Sequence, residues 1–109
     1  MERQELLGIA NATFQSCLAT LDRKNADYAH DAEDALRNFK AVEFFKLTNM
    51  PTGVAVRLCD KFMRICNLLS AEAQVKDEKV TDTIDDAINY LVILKASLFE
   101  RDNQKVKGL

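Results

Sequence analysis

The sequence predicts an all-α fold, a compact bundle of about four helices. Apolar residues recur at intervals of three and four residues in successive segments of the chain, which is the spacing of one helix face. Alternation of apolar and polar residues, the pattern of a half-buried strand, never persists over a useful length. With 109 residues, 48% of them hydrophobic, the chain has the size of a single domain, residues 1–109, with a modest core.

The N-terminal half of the chain contains two predicted helices. The first covers residues 2–23, and Gly8 is its weak point. The polar segment 23–30 interrupts the apolar pattern. Acidic residues at the next helix start favour a second helix over residues 31–47.

The C-terminal half contains two further predicted helices. The clearest break in the chain, residues 49–53, separates them from the first pair because it contains Asn, Pro and Gly. The third helix is predicted over residues 53–72, with Thr52 as its N-cap. The fourth covers residues 78–98, and a frayed tail is expected over residues 101–109.

The fourth predicted helix is the element around which the chain is organised, and its two sides differ. Its apolar side consists of Val80, Ile84, Ala87, Ile88, Leu91, Leu94 and Leu98, and its polar arc consists of Glu78, Asp82, Asp85, Asp86 and Asn89. Past Asn89 the helix is apolar nearly all round, which predicts that its second half is buried. Glu78, Asp82 and Asp86 repel one another unless a positive charge lies among them, so this arc is the candidate functional site.

Composition argues against several classes of protein. The net charge of −2, from 15 basic and 17 acidic residues, gives no broad positive field, so nucleic-acid binding is not favoured. No signal pattern and no apolar run of the roughly 20 residues that span a bilayer is visible, so we expect a cytoplasmic protein without a membrane partner. Cys17, Cys59 and Cys66 lie within apolar helical patterns and form no C-x-x-C motif, which predicts reduced, buried thiols.

A short polar connection joins the third and fourth helices, which are therefore expected to lie antiparallel. Their polar sides would then meet along one groove, with Asp60, Lys61 and Arg64 beside the acidic arc. Carboxylates that converge from bundle helices suit Mg²⁺, which takes oxygen ligands and bridges to substrate phosphates. Lysine and arginine suit the phosphate oxygens. The groove is thus a candidate site for a nucleotide or a similar phosphorylated ligand.

Simpler interpretations of these residues remain open. Acidic residues on one arc of a helix commonly form a solvated face, and Asp60 with Arg64 has the i,i+4 spacing of a surface ion pair worth about 0.3–0.5 kcal/mol. The lone His30 has no second His or catalytic Ser in a recognisable arrangement, so no catalytic role is expected. Aromatic residues at helical spacing are expected in the core rather than on a base-stacking platform; these are Phe39, Phe44, Phe45 and Phe62.

Three blocks of the sequence, in order, carry a family resemblance. They are KNADY at residues 24–28, RLCDKFMRICNLL at 57–69 and DTIDDAINYLVIL at 82–94. Together they resemble the nucleotide-modification-associated domain family of small phage and bacterial proteins, which is similar to the MazG-like all-α nucleotide pyrophosphohydrolases. The resemblance covers residues 24–98. It implies an all-helical, oligomeric, Mg²⁺-dependent protein that converts nucleoside triphosphates into monophosphates and pyrophosphate.

The resemblance also implies which residues act. Asp82 resembles the aspartate of the MazG-type Glu-x-x-Asp pair, seven residues ahead of an asparagine that here is Asn89. The position three before Asp82 is Lys79, and the nearest acid is Glu78, one turn back on the same face. Where MazG-like enzymes have a double-glutamate pattern on an earlier helix, this chain has Asp60 as its acidic residue. The recurrent polar positions of the closer family are matched by Lys24, Asp27, Tyr28, Asp60, Lys61, Arg64, Asp82, Asp86 and Asn89.

Two functions from different classes follow as expectations. In the first, the protein is a Mg²⁺-dependent pyrophosphohydrolase with Asp82 and Asp86 as catalytic residues. Its metal ligands are Asp60, Glu78, Asp82 and Asp86, and its nucleotide-binding residues are Lys24, Asp27, Tyr28, Lys61, Arg64 and Asn89. In the second, the same groove binds a nucleotide or a partner without turnover, as a phage accessory module. A homodimer or homotetramer with sites between subunits is expected, because four short helices give a nucleotide little shelter.

Overall fold

The computed structural model describes residues 1–29, 34–70 and 79–107, excluding the side chains of 27–29 and 104–107. These ranges contain helices and turns and no strand, which confirms the predicted all-α bundle. The helices are α1 (Arg3–Ala29), a 3₁₀ turn (Arg37–Lys40) that continues into the short α2 (Ala41–Phe44), α3 (Met50–Ser70) and α4 (Val80–Lys107).

Helix α1 is longer than predicted and includes most of the polar segment that was expected to end it. Asn25 does not break the helix, because its side-chain Nδ2 donates to the Ala35 carbonyl oxygen at 2.7 Å rather than competing for the local backbone. This hydrogen bond ties the end of α1 to the segment that precedes the 3₁₀ turn.

The prediction of one helix over residues 31–47 is wrong where the structure describes this segment. Residues 34–47 form turns, the 3₁₀ turn and the four-residue α2. At the start, the Asp34 carboxylate accepts a hydrogen bond from the Leu36 backbone N–H at 3.0 Å, a local turn that competes with helix formation. At the end, Lys46 has φ of 58°, the left-handed conformation that stops α2.

Lys46 occupies the position where helices commonly place glycine. The Leu47 N–H donates to the Val42 carbonyl oxygen and the Lys46 N–H to that of Glu43, which together form a Schellman motif. Lys46→Gly is therefore expected to raise the free energy of unfolding by up to about 1 kcal/mol in urea titrations, because glycine adopts positive φ without the Cβ penalty. Lys46→Ala, which keeps the Cβ, should give no comparable gain, and equal effects of the two substitutions would contradict this explanation.

Helix α3 begins three residues earlier than predicted, because Asn49 rather than Thr52 is its N-cap. The Asn49 Oδ1 atom accepts a hydrogen bond from the Thr52 backbone N–H at 2.8 Å. The Glu43 carboxylate accepts another from the Met50 N–H at 2.9 Å. Both acceptors satisfy donors of the first turn that have no partner within the helix, so the short α2 segment and the start of α3 stabilise each other.

Helix α4 extends to Lys107, through part of the tail that was expected to be frayed. Helix α4 packs antiparallel to α3. Lys61 of α3 pairs with Asp86 of α4. Arg57, one turn earlier on α3, lies over the Phe39 ring, which contacts Tyr90, one turn later on α4. The most buried residues of α4 are small or polar. Thr83, Ala87 and Ser97 share one side of the helix, and Asn89 lies on another side, where it contacts α1. Small side chains allow close approach of a neighbouring helix, and the α3 residues buried in the same core are Met50, Pro51, Val54 and Leu58.

Several residues predicted to be buried are instead exposed. On α4, Leu91 and Val92 are each 47% exposed, because α4 makes its close contacts through its small-residue side. Four phenylalanines were predicted in the core. Phe44, Phe45 and Phe62 are instead exposed, and Phe39 is half-buried. The cysteines are free thiols, but only Cys17 is buried, and Cys59 and Cys66 lie on the outer side of α3. Helical spacing identified these apolar faces correctly, but the described residues do not cover them.

An ion-pair network fixes the segment before α2 against the end of α4. The Lys40 Nζ atom lies 2.8 Å from the Asp34 carboxylate and 2.6 Å from the Glu100 carboxylate. The hydrogen bond from Lys40 is the main cause that lowers the pKa of Asp34, and the two carboxylates raise the pKa of Lys40. The network therefore links folding to pH.

Lys40→Met is expected to lower the free energy of unfolding at neutral pH by about 1 kcal/mol, since two partly exposed ion pairs are lost. The pKa of Asp34 is lower in the folded state, so its contribution exists above about pH 4 and disappears as pH falls through the folded pKa. The pKa of Lys40 is raised, so its contribution is complete below about pH 10 and disappears above that range. Urea titrations of both proteins from pH 3 to 7, roughly the range in which carboxylates titrate, should show the difference shrinking at the acid end, and a constant difference would contradict this account.

Candidate functional site

A cleft of about 90 Å³ lies between α1, the segment 35–39 and α4. Its walls combine charged, amide, aromatic and aliphatic side chains; they are Leu21, Lys24, Asn25, Ala35, Asn38, Phe39, Asp86, Asn89, Tyr90 and Ile93. We call it the Asp86 cleft. The cleft forms because α1 extends to Ala29 and because the segment 35–39 forms turns beside α4 rather than an α-helix.

Two lysines from different helices converge on the Asp86 carboxylate. The Lys24 Nζ atom of α1 lies 3.4 Å from Oδ1, and the Lys61 Nζ atom of α3 lies 3.6 Å from Oδ2. The side chains of Lys24, Lys61 and Asp86 are 50%, 23% and 33% exposed, so all three remain accessible to a ligand. With two cations and one carboxylate, this group has a net positive charge, which suits an anion.

Aromatic rings and further cations adjoin this charged group. Phe39 and Tyr90 pack edge to face, with ring centroids 6.4 Å apart. Lys61 lies 5.7 Å from the Tyr90 centroid, and Arg57 lies 5.0 Å from that of Phe39, within the range of cation–π attraction. Lys61 thus contacts both a carboxylate and a ring, so it links the charged and the aromatic parts of the site.

Two hydrogen bonds join α1 to α4 near the charged group. The buried Asn89 donates from Nδ2 to the Cys17 carbonyl oxygen at 3.1 Å, and the Cys17 thiol donates to the Asp85 carbonyl oxygen at 3.7 Å. Burial, followed by the nearby carboxylates of Asp85 and Asp86, raises the pKa of Cys17. A thiol that stays protonated is a poor nucleophile, so Cys17 serves packing rather than covalent chemistry.

The structure brings together four of the residues predicted for the site. Lys24, Asp86 and Asn89 line the cleft, and Lys61 does not line it but pairs with Asp86 from α3. The Asn89 amide is partly committed to the contact between α1 and α4, so it positions the cleft as well as lining it. Glu78 and the side chains of Asp27 and Tyr28 lie outside the described residues.

The remaining predicted site residues do not line the Asp86 cleft. Asp60 and Arg64 are exposed on α3, and Asp82 is exposed on the first turn of α4. Neither the Asp60 nor the Asp82 carboxylate forms an ion pair or hydrogen bond with another described side chain. Asp82 lies one helical turn before Asp86 and on the same face of α4.

The carboxylates of Asp82 and Asp86 are the described groups that bear on the predicted Mg²⁺ site. Among the described residues, no group of three or more His, Cys, Asp or Glu side chains is placed to hold a metal ion. Mg²⁺ in phosphate-binding sites commonly takes only one or two protein carboxylates, together with phosphate oxygens and water. Asp86, with Asp82 one turn away, supplies oxygen ligands of that kind.

Sequence reasoning missed seven residues of the cleft: Leu21, Asn25, Ala35, Asn38, Phe39, Tyr90 and Ile93. Tyr90 had a detectable signal, since it directly follows Asn89 within the third matching block. Asn38 had none, because residues 31–47 were predicted as one helix and only the turns of this segment direct it to the cleft.

None of the described helices combines the length and hydrophobicity that a membrane-crossing segment requires. Comparison of the chain with protein-family models, with curated proteins and with solved structures finds no match.

Proposed function

We propose that this chain is a Mg²⁺-dependent nucleoside triphosphate pyrophosphohydrolase that binds its substrate at the Asp86 cleft. The observation that carries the proposal is the convergence of Lys24 and Lys61, from α1 and α3, on the α4 carboxylate Asp86. Aromatic rings beside this group add a surface suited to the nucleoside part of the ligand. The sequence resemblance to MazG-like enzymes supports the same reaction class.

The resting ion pairs define how a triphosphate binds. Its phosphate oxygens compete with Asp86 for the ammonium groups of Lys24 and Lys61, and each charge-assisted hydrogen bond contributes about 1.5–3 kcal/mol. The ion pairs that are lost are partly exposed and cost at most about 1 kcal/mol each. The exchange is therefore favourable, and it frees the Asp86 carboxylate.

The freed carboxylate and Asp82 would hold Mg²⁺ against the phosphates. When bound, Mg²⁺ neutralises phosphate charge and helps to orient the reacting groups. A water oxygen attacks the α-phosphorus, the bond from that phosphorus to the α,β-bridging oxygen breaks, and pyrophosphate leaves. Asp82 or Asp86 accepts the proton of the water. Lys24 and Lys61 hold the phosphates in place and stabilise the charge on the leaving group.

A second candidate function is nucleotide binding without turnover, as an accessory module. One observation favours it: the Asp86 carboxylate already has two lysine partners, and the Asp60 and Asp82 carboxylates are exposed on separate parts of α3 and α4. Binding through Lys24 and Lys61 needs no carboxylate triad. The two candidates differ in pyrophosphate release and share the same binding residues.

The experiment that tests the proposal is a screen of the purified protein with Mg²⁺ against the common ribo- and deoxyribonucleoside triphosphates. Pyrophosphate release and thermal shift are followed in the same wells, for the wild type and for Asp82→Ala. Release from a subset of nucleotides, lost in Asp82→Ala with the fold intact, supports hydrolysis. A thermal shift without pyrophosphate release supports the binding module. Absence of both a thermal shift and pyrophosphate release would reject both functions.

We also propose that the working unit is a homo-oligomer. Helix α1 exposes an apolar stripe in which Leu7, Phe14 and Leu18 are 55%, 62% and 67% exposed. One face of α3 exposes Val56 and Met63, two helical turns apart, in the same way. Contiguous apolar surface of this kind commonly marks an interface, and a second copy offers the same surface in a symmetric arrangement.

The oligomer proposal predicts a particle of at least twice the 12.3 kDa chain mass in size-exclusion chromatography with light scattering. Phe14→Lys on the exposed stripe of α1 should shift the mass toward that of a single chain, because the charge would be buried in the interface. Gln15→Lys, which adds the same charge one position away, is the matched control. A wild type that runs as a single chain at high concentration would contradict the proposal.

A further inference from the structure

The Asp86 cleft has two ends of different chemistry, arranged along α4. Asp86 marks the charged end, where Lys24 reaches it. Tyr90 and Ile93 lie one and two turns further along the helix and line the same cleft. At 1.5 Å per residue, the distance along α4 from Asp86 to Ile93 is about 10 Å. An elongated ligand with one anionic and one flat apolar end would match this arrangement in only one direction.

The far end of the cleft contains rings and an aliphatic wall. Phe39 contacts Tyr90 edge to face, and the Arg57 guanidinium lies over the Phe39 ring, 5.0 Å from its centroid. Because both rings are fixed by neighbours, they present a preformed surface. Stacking of a nucleic-acid base on an aromatic side chain does not depend strongly on which base it is. The rings therefore explain why a base would bind there, but not which base.

Asn38 adds a group that can distinguish bases. Two other asparagines line the cleft, but Asn25 donates to the Ala35 carbonyl oxygen and Asn89 to that of Cys17. The Asn38 carboxamide is exposed and forms no hydrogen bond with any described residue. A carboxamide offers an acceptor oxygen and two donor hydrogens side by side, which complements the edge of a base.

We infer that the bound nucleotide lies along α4 with its phosphates at Lys24 and Asp86 and its base between Tyr90 and Asn38, and that Asn38 determines base specificity. The inference rests on the proposed function, because it assigns a direction and a specificity residue to the same ligand. Inorganic triphosphate fills the charged end alone. A complete nucleotide also reaches Asn38, so only complete nucleotides report on this residue.

Calorimetric titration with Mg²⁺ separates the two ends of the site. The probes are inorganic triphosphate and the α,β-methylene analogues of the nucleoside triphosphates with the four common bases. The methylene bridge in these analogues prevents turnover during the measurement. The proteins are the wild type, Asn38→Ala, Asn38→Ser as a second variant in case the first does not fold, and Asn67→Ala on the exposed side of α3 as the matched control.

The wild type should bind the analogue of one base, or of one base class (purine or pyrimidine), more tightly than the others. In Asn38→Ala this preference should fall at least about fivefold, the size of a lost side-chain contact to a base edge. Its affinity for inorganic triphosphate should be unchanged, and Asn67→Ala should behave as the wild type. A wild type without base preference, or an Asn38 variant that keeps the full preference, overturns the inference. Absence of binding to every probe, inorganic triphosphate included, instead overturns the proposed function.

Discussion

Replacing Asp86 by Asn is expected to lower the rate of pyrophosphate release at least about 100-fold, the usual scale for loss of a group that acts in proton transfer. The amide is a weaker oxygen ligand for Mg²⁺, and it cannot accept the proton of the attacking water if Asp86 rather than Asp82 is the base. The fold should survive, because the ion pairs to Lys24 and Lys61 are partly exposed and contribute at most about 1 kcal/mol each.

The same substitution is expected to strengthen metal-free binding of inorganic triphosphate. Asp86→Asn leaves Lys24 and Lys61 without their carboxylate, so the phosphates no longer compete with it. Removing a competing interaction of up to about 1 kcal/mol raises affinity by up to about fivefold. Opposite changes in turnover and affinity are a signature that simple unfolding cannot produce.

Asp102→Asn is the matched control for Asp86→Asn. Asp102 lies near the other end of α4 and pairs only with its neighbour Arg101 in the described part of the chain. It should leave both turnover and triphosphate affinity unchanged. Equal activity of the two variants, or weaker triphosphate binding by Asp86→Asn, would show that Asp86 does not act as proposed.

Gly53→Ala is expected to destabilise the protein by about 1–2 kcal/mol, although alanine is the better helix former. A Cβ atom at this position would lie 2.8 Å from Val42 Cγ2 and 3.2 Å from Val42 Cγ1. The valine side chain cannot move away easily, because its branched Cβ restricts χ1. Helix α2 would therefore shift away from α3, and the caps that Glu43 and Asn49 provide would weaken. Urea titration measures the loss.

Two further variants test this explanation of Gly53. Val42→Ala combined with Gly53→Ala should lose less stability than the sum of the single changes, because the methyl groups that clash are absent. Gly8→Ala should stabilise by about 0.5–1 kcal/mol, since a Cβ there has no atom within 4 Å and only the helix preference remains. A Gly53→Ala protein as stable as the wild type would contradict the close approach of α2 and α3.

The sequence was sufficient to predict α1, α3 and α4, because long apolar periodicity is a strong signal and their interiors contain no proline beyond the first turn of α3. It failed over residues 34–47 for a local reason. The Asp34 side chain forms a turn with its own backbone, and Lys46 takes positive φ, and neither event changes the spacing of apolar residues. Burial was also poorly predicted, since periodicity shows which face is apolar but not what covers it.

Part of the candidate site followed from the same reasoning. An antiparallel arrangement of the last two helices predicted that Lys61 would lie beside the acidic arc, and its contact with Asp86 confirms this. Lys24 was found through the sequence resemblance, and its contact with Asp86 depends on the longer α1. Asn38 could not be predicted, because its place in the cleft depends on the turns that replace a helix.

Calorimetric binding of inorganic triphosphate is the direct test of whether Lys24 and Lys61 form a phosphate site around Asp86. The double variant Lys24→Gln/Lys61→Gln is compared with Lys46→Gln/Lys95→Gln, which removes the same charge elsewhere. We expect the wild type and the control to bind alike. The Lys24→Gln/Lys61→Gln variant should lose at least about 100-fold in affinity, because it lacks two charge-assisted contacts. Equal affinity of the two double variants, or no binding by the wild type, would contradict this expectation.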